Sequence, residues 1–186
     1  TASIIASSSL EDAIAKYIAT TGKAKDKTEQ YKKVLQSIHD NNYGADYGDI
    51  ADKMRIVSNI LGDLPDDKLQ SVVEKSYMLE EAYGMDFQEN IRGVNALIDQ
   101  FGITADEAFE LINQGAQKGL NQNQDLTDQI AEYSTYYAKL GFTAEDFFDM
   151  MIAGAKDGAY QIDYLNDAMK EFGIRTKDNS KSTNEA

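Results

Sequence analysis

The sequence predicts an all-α fold, an array of about nine short helices joined by tight glycine corners. Three observations carry that prediction. Only one Pro occurs in 186 residues, period-two alternation of β-branched residues is rare, and apolar residues recur at i, i+3 and i+4. The elements follow in chain order. Residues 2–9 form a small-residue lead-in, and Ser9-Leu10-Glu11-Asp12 is placed to cap a first helix over 10–20. Thr20 to Asp26, with Gly22, Lys23 and Lys25, is the expected internal linker, followed by a helix over 28–40. Ile50, Met54, Val57 and Leu61 make the next stripe, and Leu69, Val72, Val73, Ser76 and Tyr83 a looser one. Phe87, Ile91, Val94, Ile98 and Phe101 keep a 4-3-4-3 spacing, which places all five on one helix face. Leu126, Ile130, Tyr133, Tyr137 and Leu140 repeat it, with further helices predicted over 105–118, 144–156 and 161–172. No heptad register survives the glycines between these segments, which argues against a long coiled coil.

A six-residue pattern, Gly–apolar–(Asp/Thr)–x–x–(Asp/Glu), supplies the predicted corners. It starts at Gly44, Gly84, Gly102 and Gly141, and ends at Asp49, Glu89, Glu107 and Asp146. Glycine takes the left-handed conformation that stops a helix, and the apolar residue after it covers the last turn. Asp or Thr then accepts from free amides of the next helix, with the acidic residue at N3 closing a capping box. Gly173-Ile174-Arg175-Thr176 begins a fifth copy that lacks the N3 acid.

Two corners head a longer repeat, offset by 39 residues. The segment from Gly102 to Leu111 lies over that from Gly141 to Met150; Gly115-Ala116 lies over Gly154-Ala155, and Gly119 over Gly158. Each unit reads as helix, polar break (Gly119 to Gln124; Asp157-Gly158) and helix, the mark of stacked antiparallel hairpins. Gly44 and Gly84 are 40 apart with little match between them. The expected organisation is therefore fourfold. Residues 1–25 hold the lead-in, first helix and linker; 26–101 a helical region with a looser repeat. Residues 102–175 form two related helical hairpins, and 176–186 a polar, frayed tail. The tail ends on Ser182-Thr183-Asn184-Glu185-Ala186, which resembles the helix start at Thr104, and the chain opens on Thr1 without a charged-then-apolar leader. Both ends read as those of a piece of a longer protein.

Composition narrows the chemistry. With 18 Lys+Arg against 32 Asp+Glu the net charge is −14, which disfavours a stable grip on nucleic acid, because phosphate binding needs basic side chains. The absence of Cys removes disulfides, thiolate nucleophiles and Cys-ligated zinc. The longest apolar runs (Phe147-Phe148, Met150 to Ala153) are far short of the ~18 residues a membrane span needs. Membrane insertion by this chain is not expected.

Each candidate for chemistry has a simpler structural reading. His39 is the lone imidazole and has no Gly-x-Ser-x-Gly elbow to serve; it reads as a cation at a helix C-terminus. Asn121, Asn123, Asp125 and Glu132 mimic a calcium-loop spacing, but Leu126 stands where the loop needs Gly and Asp128 where it needs an apolar residue. They read as an interhelical loop in which Asn123 or Asp125 caps the next helix. Asp66-Asp67, Asp106-Glu107 and Glu145-Asp146 fall in first turns, where capping explains them; Glu80-Glu81 falls late in its helix and reads as solvent-exposed. Gly115-x-x-x-Gly119 reads as a helix end. Among the eleven Tyr, Tyr133 and Tyr137 continue an apolar stripe and Tyr136 falls off it, making Tyr136 the better contact residue. The sequence thus assigns no catalytic, cofactor-binding or metal-ligating residue, and no cofactor.

Within 102–175 the chain resembles a known family. The matching features are Ala108-Phe109-x-Leu111-Ile112, the Gly115-x-x-x-Gly119-Leu120-Asn121 break, Asp125-Leu126 and Glu132-Tyr133-Ser134. Leu140-Gly141-Phe142 and the run from Asp167 to Arg175 complete the set, and the tail after it is also similar. They look like a segment of the tail tape-measure proteins of long-tailed phages and prophages, over about 40% of the chain. The resemblance implies a structural, non-enzymatic module that sets tail length while the tail-tube protein polymerises around the ruler. It implies tail-tube and other tail proteins as partners, self-association among them. The implied place is the virion tail, after synthesis in the host bacterial cytoplasm. The family offers no active-site residues to carry over. Two rival functions are a helical-repeat adaptor with a Tyr-rich concave face, and a peptidoglycan-cleaving hydrolase with two unlike carboxylates across a cleft.

Overall fold

The computed structural model describes residues 2–156 and 162–177, with side chains from Ser9 to Lys156 and from Ile162 to Thr176. Among these residues are nine α-helices and no strand. They are α1 Ala2–Thr21, α2 Thr28–Asp40, α3 Tyr47–Leu61, α4 Asp66–Tyr83, α5 Phe87–Phe101, α6 Ala105–Gln117, α7 Leu126–Leu140, α8 Ala144–Lys156 and α9 Ile162–Lys177. A single 3-10 turn, Lys25–Lys27, precedes α2. The chain divides into two compact units, Thr1–Ile91 and Arg92–Ala186, and the division falls within α5.

In the first unit α1 packs chiefly on α3, and α2 on α4 and α3. The apolar stripes explain why: Ile14 and Tyr17 of α1, Leu35 and Ile38 of α2, Ile50, Met54 and Val57 of α3, and Val73 of α4 are all buried. Fully burying one such side chain is worth roughly 1.5–3 kcal/mol, so these stripes, rather than helix propensity, fix the packing. Two tyrosines bring their hydroxyls into this apolar interior with partners. Tyr17 shares a 2.8 Å hydrogen bond with Ser58 and sets its ring edge-on to Tyr31. Tyr77 donates to Asp49 at 2.8 Å and stacks on Tyr43.

Asp49 holds the entry to α3. It accepts from the Ala45 amide at 3.1 Å while its own amide donates to Asp46, the N-cap, at 2.9 Å. The chain reaches this cap through Gly44, at φ +77. An added Cβ there would run into Ile50 Cγ1 and come within 3.0 Å of the Tyr77 hydroxyl. Gly44→Ala is therefore expected to destabilise the protein by about 2–4 kcal/mol, combining left-handed strain with overpacking. Chemical denaturation of the full chain measures this, and an unchanged midpoint would contradict it.

In the second unit α7 packs chiefly on α9, and α8 packs on α9, α6 and α7. Cross-helix pairs advance together along α7 and α9: Gln129 with Asp163, Tyr133 with Asp167, and Leu140 against Gly173. A near-constant offset means that the two helices run parallel, as alternate members of an up-and-down array do. Helix entries use side-chain caps. Thr104 and Glu107 form a reciprocal capping box at α6, with amide-to-side-chain distances of 2.8 and 3.2 Å. Thr143 and Asp146 do the same at α8, at 2.9 and 3.1 Å. Those amides hold the carboxyls of Glu107 and Asp146 below the usual range. Asp86 caps α5 through the Glu89 amide at 3.0 Å.

Several local expectations are corrected. Ser9 lies inside α1, which already runs from Ala2, so it does not start that helix. Leu97, off the predicted α5 stripe, is fully buried. Gly173 is not a corner: α9 continues through it to Lys177, and it faces Leu140 with room for an ordinary side-chain contact. Thr176 and Lys177 thus extend α9. The predicted break at Asp157-Gly158 and the tail from residue 178 onward lie outside the described residues.

Candidate functional site

The densest polar arrangement among the described residues is a seam between α7 and α9. Asn166 of α9 is fully buried. Its carbonyl oxygen accepts from the Tyr137 hydroxyl at 3.0 Å, and its amide donates to Gln129 Oε1 at 3.0 Å. The same amide lies 3.8 Å from the Met151 sulfur of α8. Gln129 in turn donates to Asp163 at 2.7 Å, and Tyr133 donates to Asp167 at 2.7 Å. Lys170 closes the exposed edge, 3.4 Å from Glu132 and over the rings of Tyr133 and Tyr136 at 5.6 and 5.4 Å. The helical period produces this row: Gln129, Tyr133 and Tyr137 are four apart on α7, as are Asp163 and Asp167 on α9.

The seam sets register. An amide side chain with its donors and acceptor engaged is satisfied in one alignment of the helices and orphaned in a shifted one. Its tyrosines are held protonated. Burial pushes Tyr137 up to about 12, and burial followed by the hydrogen bond to Asp167 pushes Tyr133 higher still. Tyr17 is likewise raised to about 12, chiefly by burial. The sign of the pH effect follows. A folded-state pKa above the unfolded value near 10 gives stability that is complete below pH ~10 and is lost as pH rises through about 12. Unfolding in alkali is thus expected to coincide with phenolate absorbance, followed by near-ultraviolet spectroscopy. Ionisation of Tyr17, Tyr133 and Tyr137 themselves near pH ~10, read ring by ring by NMR while the helices stayed intact, would contradict this.

The candidates named from sequence are scattered. His39 lies in the last turn of α2, 3.8 Å from Asp40 and with its ring 4.5 Å from that of Tyr47. The calcium-like set does not converge: Asn121 Oδ1 accepts from the Leu126 amide at 3.4 Å, while Glu132 turns to Lys170. Asn121, rather than Asn123 or Asp125, caps α7; Asp125 makes no side-chain cap bond, and burial raises its pKa. Among the described residues no three His, Asp or Glu side chains are grouped to hold a metal. Glu80 is not merely solvent-exposed, since it pairs with Lys53 at 3.6 Å. Gly115 lies inside α6 against Phe148 of α8, about 3.0 Å from an added Cβ, and α6 ends two residues later. Tyr133 and Tyr137 are buried and Tyr136 is half-buried, its ring shared by Lys139 and Lys170. Sequence reasoning missed Asn166 and Gln129, because polar residues on a helix count as its outer face. Their one sequence signal is position, since Gln129 stands four before Tyr133 on the buried side.

The fold and this seam define a class: helical packing proteins whose polar side chains cap helices and lock them in register. Residues 41–186 match the model of the phage-related minor tail proteins, and the chain belongs to that family. Its role is accordingly structural, in the phage tail and among other tail components. No curated protein and no solved structure matches the chain. No helix among the described residues is long and apolar enough to cross a membrane.

Proposed function

We propose that the chain is a non-enzymatic module of a tail tape-measure protein, which sets tail length as the tail-tube protein polymerises around it. The observation that carries the reading is the 39-residue offset between the segments that start at Gly102 and Gly141. A ruler built of repeated helical units changes length with the number of units. Family membership over 41–186 and the motif run from Ala108 to Arg175 support it. In this reading 102–175 acts as two related hairpins, and its partners are the tail-tube protein, other tail proteins and further copies of the chain. The net charge of −14 keeps it off nucleic acid.

The test is genomic. Sequencing outward from the gene is expected to reveal an open reading frame long enough to span a tail, among other tail genes. A short parent gene, or one outside such a cluster, would overturn the reading.

A further inference from the structure

The turn from α6 into α7 delivers a carboxyl to a place that does not suit its charge. Asp125 stands just before α7, where the free amides of a first turn ordinarily receive a carboxylate. Its side chain makes no such bond, and Asn121 takes the Leu126 amide instead. Gln124, the residue before it, sits at φ +60, a left-handed conformation that is strained for any residue with a side chain. The chain leaves that twist with Asp125 Oδ1 buried and without a hydrogen-bond partner. Gln129, which donates to Asp163 of α9 at 2.7 Å, hydrogen-bonds the Asp125 carboxyl as well, so one amide group serves two carboxylates. The charges that act on Asp125 are Asp163 and, on its own helix, Asp128, both acidic. The bases on the adjoining elements, Arg92 of α5, Lys118 after α6 and Lys156 at the end of α8, are exposed.

We propose that Asp125 is a proton-operated clasp at the start of the α7–α9 seam, which tightens when this carboxyl takes up a proton and loosens when it gives the proton up. A buried carboxylate oxygen without a donor is costly, and a like charge nearby adds to the cost. The proton removes the charge from that oxygen and with it the repulsion from Asp163. Burial first, and then Asp163 and Asp128, raise the Asp125 pKa above its ordinary value. A carboxyl that holds its proton more tightly folded than unfolded stabilises the fold as pH falls through the folded pKa. That gain is complete below the unfolded value near ~3.9 and is lost as pH rises through the folded one. Glu107 and Asp146 act in the opposite sense, because their capping bonds favour the charged form. The clasp works whether or not the chain serves as a ruler.

Carboxyl NMR of the full wild-type chain tests the titration without any substitution: as pH falls, Asp125 is expected to take its proton before Asp146. Asp125→Asn keeps the shape and discards the charge. It should raise the urea midpoint at pH ~7, and its gain over the wild type should shrink as pH falls towards ~4. Hydrogen exchange, corrected for its intrinsic pH dependence, locates the effect. Wild-type α7 and α9 should gain protection between pH ~7 and pH ~5, whereas Asp125→Asn should be protected at both. The proposal is overturned if Asp146 takes its proton first, or if Asp125→Asn lowers the midpoint at pH ~7. A gain that is the same at every pH, or wild-type protection that does not respond to pH, overturns it equally.

Discussion

A chain shortened to residues 41–186 is expected to lose the cooperative unfolding of its first unit, although it retains the whole family-matched segment. The match begins at Asn41, the residue just after α2, whereas α1 and α2 are built into the core of that unit. Ile14, Tyr17, Leu35 and Ile38 leave with them, and Ile50, Met54 and Val57, all buried, lose the faces that cover them. A single buried Leu or Ile reduced to Ala costs about 2–5 kcal/mol. Four such losses together come to about 8–20 kcal/mol, as large as the ~5–15 kcal/mol by which a domain is ordinarily stable. Hydrogen exchange read by mass spectrometry should show α3 and α4 unprotected in the shortened chain. Full protection of these helices would mean that residues 1–40 only decorate the unit.

The second large effect is expected at Asn166. Asn166→Ala leaves the Tyr137 hydroxyl and Gln129 Oε1 without their partner in a closed seam. Each buried polar group left unpaired costs about 1–3 kcal/mol, so the substitution should cost about 2–5 kcal/mol. Asn166→Asp tests the same point without a cavity, because a carboxylate turns the donor facing Gln129 into an acceptor. Both variants should lower the urea midpoint, whereas the exposed substitution Tyr164→Ala on the same helix should leave it within experimental error. Equal midpoints for Asn166→Ala and Tyr164→Ala would contradict the role given to the seam.

The legible parts of the fold were those written in periodicity. Phe87, Ile91 and Val94, or Leu126, Ile130, Tyr133 and Tyr137, recur at helical spacing and are buried on one face as that spacing requires. Thr104-x-x-Glu107 declared its capping box because both partners sit within one turn. What stayed illegible depends on partners distant in sequence. Asn121 displaced Asp125 as the cap of α7 through a bond five residues long, outside the usual capping window. Glu80 found Lys53 on another helix, and Gly173 lies mid-helix facing Leu140 of α7. The seam itself joins residues about 30 apart, which a single-helix reading treats as unrelated polar positions.

The measurement that bears most directly on the functional reading is tail length. Deletion of residues 102–140 from the parent gene, and in a second strain their duplication, changes the ruler by 39 residues in opposite directions. Electron micrographs of the resulting particles should show tails respectively shorter and longer by up to about 60 Å, the length of that segment drawn out as helix at ~1.5 Å per residue. Tails of unchanged length in both strains would contradict the account.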